Sequence, residues 1–178
     1  MTKKQFINGV ILKDHIVTEC SDEARSLYDT GRYGLQLADG RLQLSLIESL
    51  YLVEKERLLL VDGRGKGVGQ SPLLKRAIRL EKNFWVRYQV YRDLRDRGYI
   101  VKTALKFGAD FRVYDRGVKP GDDHARWIVY PVREGDSLTW YEFAAKNRVA
   151  HSTKKRLLIG IADGEGDVTY YEIRWMRP

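Results

Sequence analysis

Residues 99–133 read YIVKTALKFGADFRVYDRGVKPGDDHARWIVYPVR, and they decide the architecture of the C-terminal half. YIVKTALKF alternates apolar and polar residues with the two-residue period of a strand. Gly108-Ala109-Asp110 breaks the pattern and FRVYDR resumes it. GVKPGDDH then reads as a loop, and ARWIVYPV as a strongly apolar strand. Tyr114 falls near the end of the second strand, and His124 falls where the loop meets the third.

Downstream, Thr139 and Glu142 form a T-x-x-E capping box that starts a helix through WYEFAAKNRVAH. The end of that helix delivers Ser152 to Lys155 into the strand RLLIGIA. If this segment is extended, Lys154 points away from the side that Lys155 faces. A turn at DGEGD (residues 163–167) and a last strand, VTYYEIRWM, follow. This order predicts a nuclease-like α/β domain with a mixed central sheet.

Upstream, Ser71-Pro72 opens a single long helix with an apolar stripe of Leu74, Ile78, Trp85, Tyr88, Tyr91 and Leu94, ended by Gly98. Such a helix closes one domain and opens the next, which places the boundary at residues 1–82 and 83–178. In the first part, Ser21 caps a short helix over SDEARSLYDTG that Gly31 stops. GLQLADGRLQLS alternates on both sides of Asp39-Gly40, a pairing suited to a type I′ hairpin turn. A helix carrying Leu46, Leu50 and Val53 and a strand around Leu58 to Val61 complete it. The fold class is therefore α+β, a small mixed N-terminal α+β domain before the C-terminal nuclease-like α/β domain. GRGKGVG (residues 63–69) has glycines at alternate positions but lacks the Lys-Ser/Thr pair of a P-loop, and reads as a surface connection.

Composition narrows the function classes. The 178 residues carry 32 Lys and Arg against 24 Asp and Glu, a net charge of +8 that favours an anionic partner such as nucleic acid. No apolar run approaches the ~20 residues of a membrane span, and MTKKQFINGVILKDH lacks the features of a signal peptide. A cytoplasmic protein without membrane association is expected. One cysteine, Cys20, excludes an internal disulfide and a thiolate metal site, and its default role is a small buried or half-buried apolar residue.

The chemistry-bearing residues are few. His15, His124 and His151 are far apart and none has a helical His partner, so no zinc motif exists. Asp122-Asp123-His124 is a local cluster, but nuclease metals need carboxylates presented from separate elements. No G-x-S-x-G elbow is present. What remains is an aromatic and basic set, in which tyrosine, histidine and lysine can supply base, acid and charge.

FGADFRVYDRG with Tyr114, DDHARWIVYPV with His124, and NRVAHSTKKRLLIGIADGEGDVTYYEIRWMRP with Lys155 resemble, in order and spacing, the C-terminal domain of archaeal-type tRNA-splicing endonucleases. The likeness covers residues 73–178 well and the first 72 residues less closely. The resemblance implies metal-independent excision of introns from precursor tRNA at a bulge-helix-bulge, by attack of a ribose 2′-hydroxyl on the adjacent phosphate. The products are a 2′,3′-cyclic phosphate and a 5′-hydroxyl, and no cofactor is required. Tyr114 is then the base, helped by a nearby positive charge, His124 the acid, and Lys155 the charge facing the phosphorane.

The same resemblance implies an arginine pair that clamps a bulge base of the opposite subunit's site. Arg148 matches the first position, and Arg174, or alternatively Arg177, the second. It also implies that DGEGD docks dimers together and that the chain forms a homotetramer, with a heterotetramer containing a structural subunit as the alternative. Two rivals stand beside this reading: a noncatalytic RNA-binding or assembly subunit of such an enzyme, and a metal-dependent nuclease using Asp110 or Asp123.

Overall fold

The computed structural model describes residues 6–104, 108–121 and 124–178. The chain divides into two units, residues 1–84 and 85–178. In the first, β1 (Ile7–Ile11) buries alternate residues, and a turn returns it antiparallel into β2 (His15–Thr18). Helix α1 (Asp22–Gly31) starts at Ser21, whose side chain accepts from the Ala24 N–H. It ends at the expected Gly31, and the C-cap Arg32 that follows takes the left-handed conformation. Cys20, expected to be at least half buried, is an exposed free thiol.

Strands β3 (Leu35–Gln36) and β4 (Leu42–Ser45) form the hairpin read around Asp39-Gly40. Its turn is not type I′, because that turn needs positive φ at both central residues and here Gly40 has it (φ 83) without Asp39. The Gly40 N–H donates to the Leu37 carbonyl and the Leu37 N–H to the Arg41 carbonyl, which is a type I turn followed by a glycine bulge. Ser45 then caps α2 (Leu46–Glu54), with Glu48 returning to the Ser45 N–H in a full capping box. Strand β5 (Leu58–Val61) pairs parallel with β1.

GRGKGVG is more ordered than a plain surface connection. Asp62 accepts from the Arg64 and Lys66 N–H groups, and the turn leads into a short edge strand, β6 (Gly67–Val68). The sheet order is β3-β4-β2-β1-β5-β6.

The single long helix of the sequence reading is two helices, α3 (Gln70–Leu80) and α4 (Phe84–Asp96). Glu81 is extended and Asn83 adopts positive φ (56), a conformation asparagine tolerates better than most residues. The cap is Gly69 rather than Ser71, which still leaves Pro72 in the first turn, where its missing N–H costs nothing. Two members of the expected stripe, Ile78 and Trp85, are exposed, whereas Leu73 and Ala77 are buried.

The second unit is one mixed sheet, ordered β11-β10-β9-β8-β7. Its strands are β7 (Ile100–Thr103), β8 (Phe111–Tyr114), β9 (Trp127–Arg133), β10 (Arg156–Ala162) and β11 (Val168–Ile173). Helix α5 (Trp140–Ser152), opened by the Thr139–Glu142 capping box, is the crossover between the parallel pair β9 and β10; the other pairings are antiparallel. The expected strand YIVKTALKF ends at Thr103, and its residues 105–107 lie outside the described residues.

Each face of this sheet has its own helix. Tyr91 of α4 packs on Phe111 with ring centroids 5.8 Å apart, and the Tyr170 hydroxyl donates to Asp93 of α4. Gly160 lies against α4 so closely that a Cβ there would stand 3.0 Å from Val90. On the other face, Ala150 of α5 shares an apolar cluster with Ile128, Tyr130, Leu157 and Ile159.

Candidate active site

Strand register carries Tyr114 and Lys155 to one end of the sheet. Arg112, Ile128 and Leu157 are direct partners across β8, β9 and β10. Because β8 runs against β9 and β10 runs with it, a two-residue step toward the end of β8 is a two-residue step back along β10. Tyr114 and Lys155 therefore share the next row, on the α5 face, two strand spacings or about 10 Å apart. Tyr114 is buried, at 4% exposure, in a cluster with Ile100 and Ala125, against which Val118 packs. Ala125 is the neighbour of His124, so the loop that carries the exposed His124 is pinned beside Tyr114.

Lys155 reaches this place through the end of α5. Thr153 is the C-cap, the Lys154 N–H donates to the His151 carbonyl, and the Lys155 N–H donates to the Ala150 carbonyl. This is a Schellman motif, with Lys154 at positive φ (56) where glycine is usual. The segment is thus turned rather than extended at Lys154, which is exposed, while Lys155 is half buried. Lys155 Nζ donates to the Thr153 carbonyl at 2.9 Å. Burial, and then the charge of Arg112, hold its pKa below the ordinary lysine range.

Arg148 and Arg174 contact other residues. Arg148 is exposed on α5 and its guanidinium lies 6.0 Å from the ring centroid of Tyr141. Arg174 Nε donates to Glu172 at 2.7 Å. Glu172 also accepts from Trp127 Nε1 at 2.7 Å and from Arg156 at 3.2 Å, which places Arg174 with the α4-face residues. Burial alone would raise the Glu172 carboxyl, but these donors outweigh it and hold its pKa at about 2. Arg177 is exposed in the tail. Trp175 lies against His151 of α5, the rings tilted at 43° with centroids 4.8 Å apart.

The two carboxylates of the metal-nuclease rival fare differently. Asp110 is paired with Arg87 at 2.7 Å, and burial raises its pKa despite that pairing. Asp123 lies outside the described residues. In the DGEGD turn, Asp163 accepts from the N–H groups of Glu165, Gly166 and Asp167, so its carboxylate is used within the turn itself.

One residue beside Tyr114 escaped the sequence reading. Arg112 precedes it by two in FRVY, so strand periodicity alone puts both on one face. Its guanidinium lies 6.0 Å from the Tyr114 ring centroid.

Residues 7–72 match the model of the tRNA intron endonuclease N-terminal domain, and residues 84–170 match that of the tRNA intron endonuclease catalytic C-terminal domain. The chain belongs to the tRNA intron endonuclease family. It is 42% identical over 168 residues to a tRNA-splicing endonuclease of Methanothermobacter thermautotrophicus, covering 94% of this chain and 96% of that one. A tRNA-splicing endonuclease of Nanoarchaeum equitans is 43% identical over 142 residues, 76% of this chain and 90% of its own. One from Thermococcus onnurineus is 38% identical over 174 residues, 98% and 99% of the two chains. The domain model that ends at residue 170 includes Tyr114, His124 and Lys155 within the part described as catalytic. Among the described residues, no helix is long and apolar enough to cross a membrane.

Proposed function

We propose that this chain excises introns from precursor tRNA by metal-independent attack of a ribose 2′-hydroxyl at a bulge-helix-bulge. The observation that carries the reading is the shared row of Tyr114 and Lys155, with the His124 loop packed on the Tyr114 cluster. In the reaction the 2′-oxygen bonds to phosphorus as the bond from phosphorus to O5′ breaks. Tyr114, as its phenolate, takes the 2′-hydroxyl proton, and His124 donates a proton to the leaving O5′. Lys155 faces the extra negative charge on the phosphorane, where fixed positive charge contributes most. The products are a 2′,3′-cyclic phosphate and a 5′-hydroxyl.

Arg148 and Arg174 form the clamp for an unpaired bulge base, acting on the site of an opposite subunit in a homotetramer. A guanidinium plane offers a splayed base a stacking and cation–π surface. The pairing of Arg174 with Glu172 on the α4 face, away from Tyr114 and Lys155, supports service to a neighbour's site. The edge position of β11, with Tyr171 59% exposed, supports a subunit contact there.

Incubation of the purified protein with a bulge-helix-bulge RNA in excess EDTA tests the reading. Two cuts that leave cyclic phosphate and 5′-hydroxyl ends are expected. A strict magnesium requirement with 3′-hydroxyl ends would overturn it.

A further inference from the structure

Arg112 is a cation for which no counter-ion is found among the described residues. It is half buried, and its Nε is shielded from solvent with no hydrogen-bond acceptor. Arg76 also shields an Nε without an acceptor, but it donates through Nη2 to the Leu12 and Lys13 carbonyls, and Arg87 Nε lies 2.7 Å from Asp110. Among the described residues, Arg112 has neither kind of partner; it touches the Tyr114 ring and feels the charge of Lys155. Lys102 is its direct partner on β7, so one more cation stands opposite it in register. Like charges directly across a strand pair destabilise it, and a cation withdrawn from water without an anion costs more still. The carboxylate nearest in sequence on its N-terminal side, Asp110, is already engaged by Arg87.

A dianionic phosphorane arriving at Tyr114 removes both costs. The planar guanidinium fork fits two phosphate oxygens at once, whereas Lys155 offers a compact point charge whose ammonium already donates to the Thr153 carbonyl. We propose that Arg112 is a ligand of the phosphate being cleaved, its guanidinium taking the nonbridging oxygens beside Tyr114 and Lys155. This inference rests on the cleavage chemistry proposed above and adds to it a residue that touches the reacting group.

The test uses full-length protein under single-turnover conditions in EDTA, with a bulge-helix-bulge RNA carrying one sulfur at a nonbridging oxygen of the scissile phosphate, each diastereomer separately. Wild type is expected to cleave the all-oxygen RNA and to be slowed by one diastereomer more than by the other. Arg112→Gln is expected to cleave about 100-fold more slowly or worse, as for loss of a donor to a developing oxyanion, and to lose the diastereomer preference. Its binding of an uncleavable 2′-deoxy RNA should change little beside that loss of rate. Arg112→Lys keeps the charge and decides the matter if the glutamine variant loses its melting transition: a reduced rate with a weakened preference is expected. A lysine or glutamine variant that is folded and retains the wild-type rate and diastereomer preference overturns the inference. Failure of wild type itself to cleave in EDTA overturns instead the chemistry on which it rests, so the two failures read differently.

Discussion

Glu48 is a buried charged side chain and Arg112 a half-buried one, and the fold treats them in opposite ways. Glu48, 8% exposed in the N-terminal unit, accepts from the Gly34 N–H, the Ser45 N–H and the Ser45 hydroxyl. Arg112, in the C-terminal unit, lies 6.0 Å from the Tyr114 ring centroid and has no anion among the described residues. One charge is consumed in making the structure; the other is held in reserve. The contrast is one of faces as much as of units, because Glu172 on the α4 side of the C-terminal sheet is as well satisfied as Glu48. On the α5 face, where Tyr114 ends its strand, Arg112 stands beside Lys155.

If that face is kept for chemistry, substitutions there must cost activity without costing the fold. Tyr114→Phe keeps the buried ring and removes the proposed base, so a cleavage rate lowered by about 10²–10⁴-fold with an unchanged melting transition is expected. Lys155→Ala should lose a similar factor. Single-turnover cleavage alongside thermal melting measures both. A variant that melts early in proportion to its lost activity would move these residues to the Glu48 side of the comparison.

Glu48→Ala should do the reverse. Two N–H donors and a hydroxyl lose their acceptor and the α2 capping box is broken, a loss of about 2–4 kcal/mol in denaturant unfolding. Cleavage per folded molecule should stay at the wild-type level. Lost activity in fully folded protein would show that the N-terminal charge also serves the reaction.

Local chemistry made part of this contrast legible in the sequence, and long-range register hid the rest. Thr139 and Glu142 announce their helix because a capping box needs only residues three apart. The position of Tyr114 at a strand end followed from alternation in FRVY. That Lys155 shares its row was not readable, since it depends on the pairing of β8, β9 and β10. The break between α3 and α4 was hidden because Ala77, Phe84 and Tyr91, all buried, repeat every seven residues and keep helical phase across it. The family resemblance supplied roles for Tyr114, His124 and Lys155, but Arg112 lay outside it and needed the structure to place its guanidinium beside the Tyr114 ring.

Glu172 sharpens the comparison by pH. Its folded pKa is held at about 2, below the ordinary 4.5, so its contribution to stability is present above pH 4.5 and lost as pH falls toward 2. Glu172→Gln should therefore flatten the acid side of the stability profile in that window. The same substitution frees Arg174 and Arg156, and an identical acid profile in wild type and variant would remove Glu172 from the satisfied class.

The smallest effect is expected one residue from the largest. Lys154 holds positive φ so that Lys155 can leave the end of α5 toward Tyr114. A side chain in that conformation costs about 1 kcal/mol, which glycine avoids. Against this, glycine enlarges the conformational freedom of the unfolded chain and removes a cation from the helix C-terminus, each worth up to about 1 kcal/mol. Lys154→Gly should therefore shift unfolding by less than about 1 kcal/mol in either direction and leave cleavage intact. Lys155→Gly should abolish cleavage, because the charge and its placement go together. Equal damage from the two glycines would mean that the turn, rather than the ammonium it positions, is what the site requires.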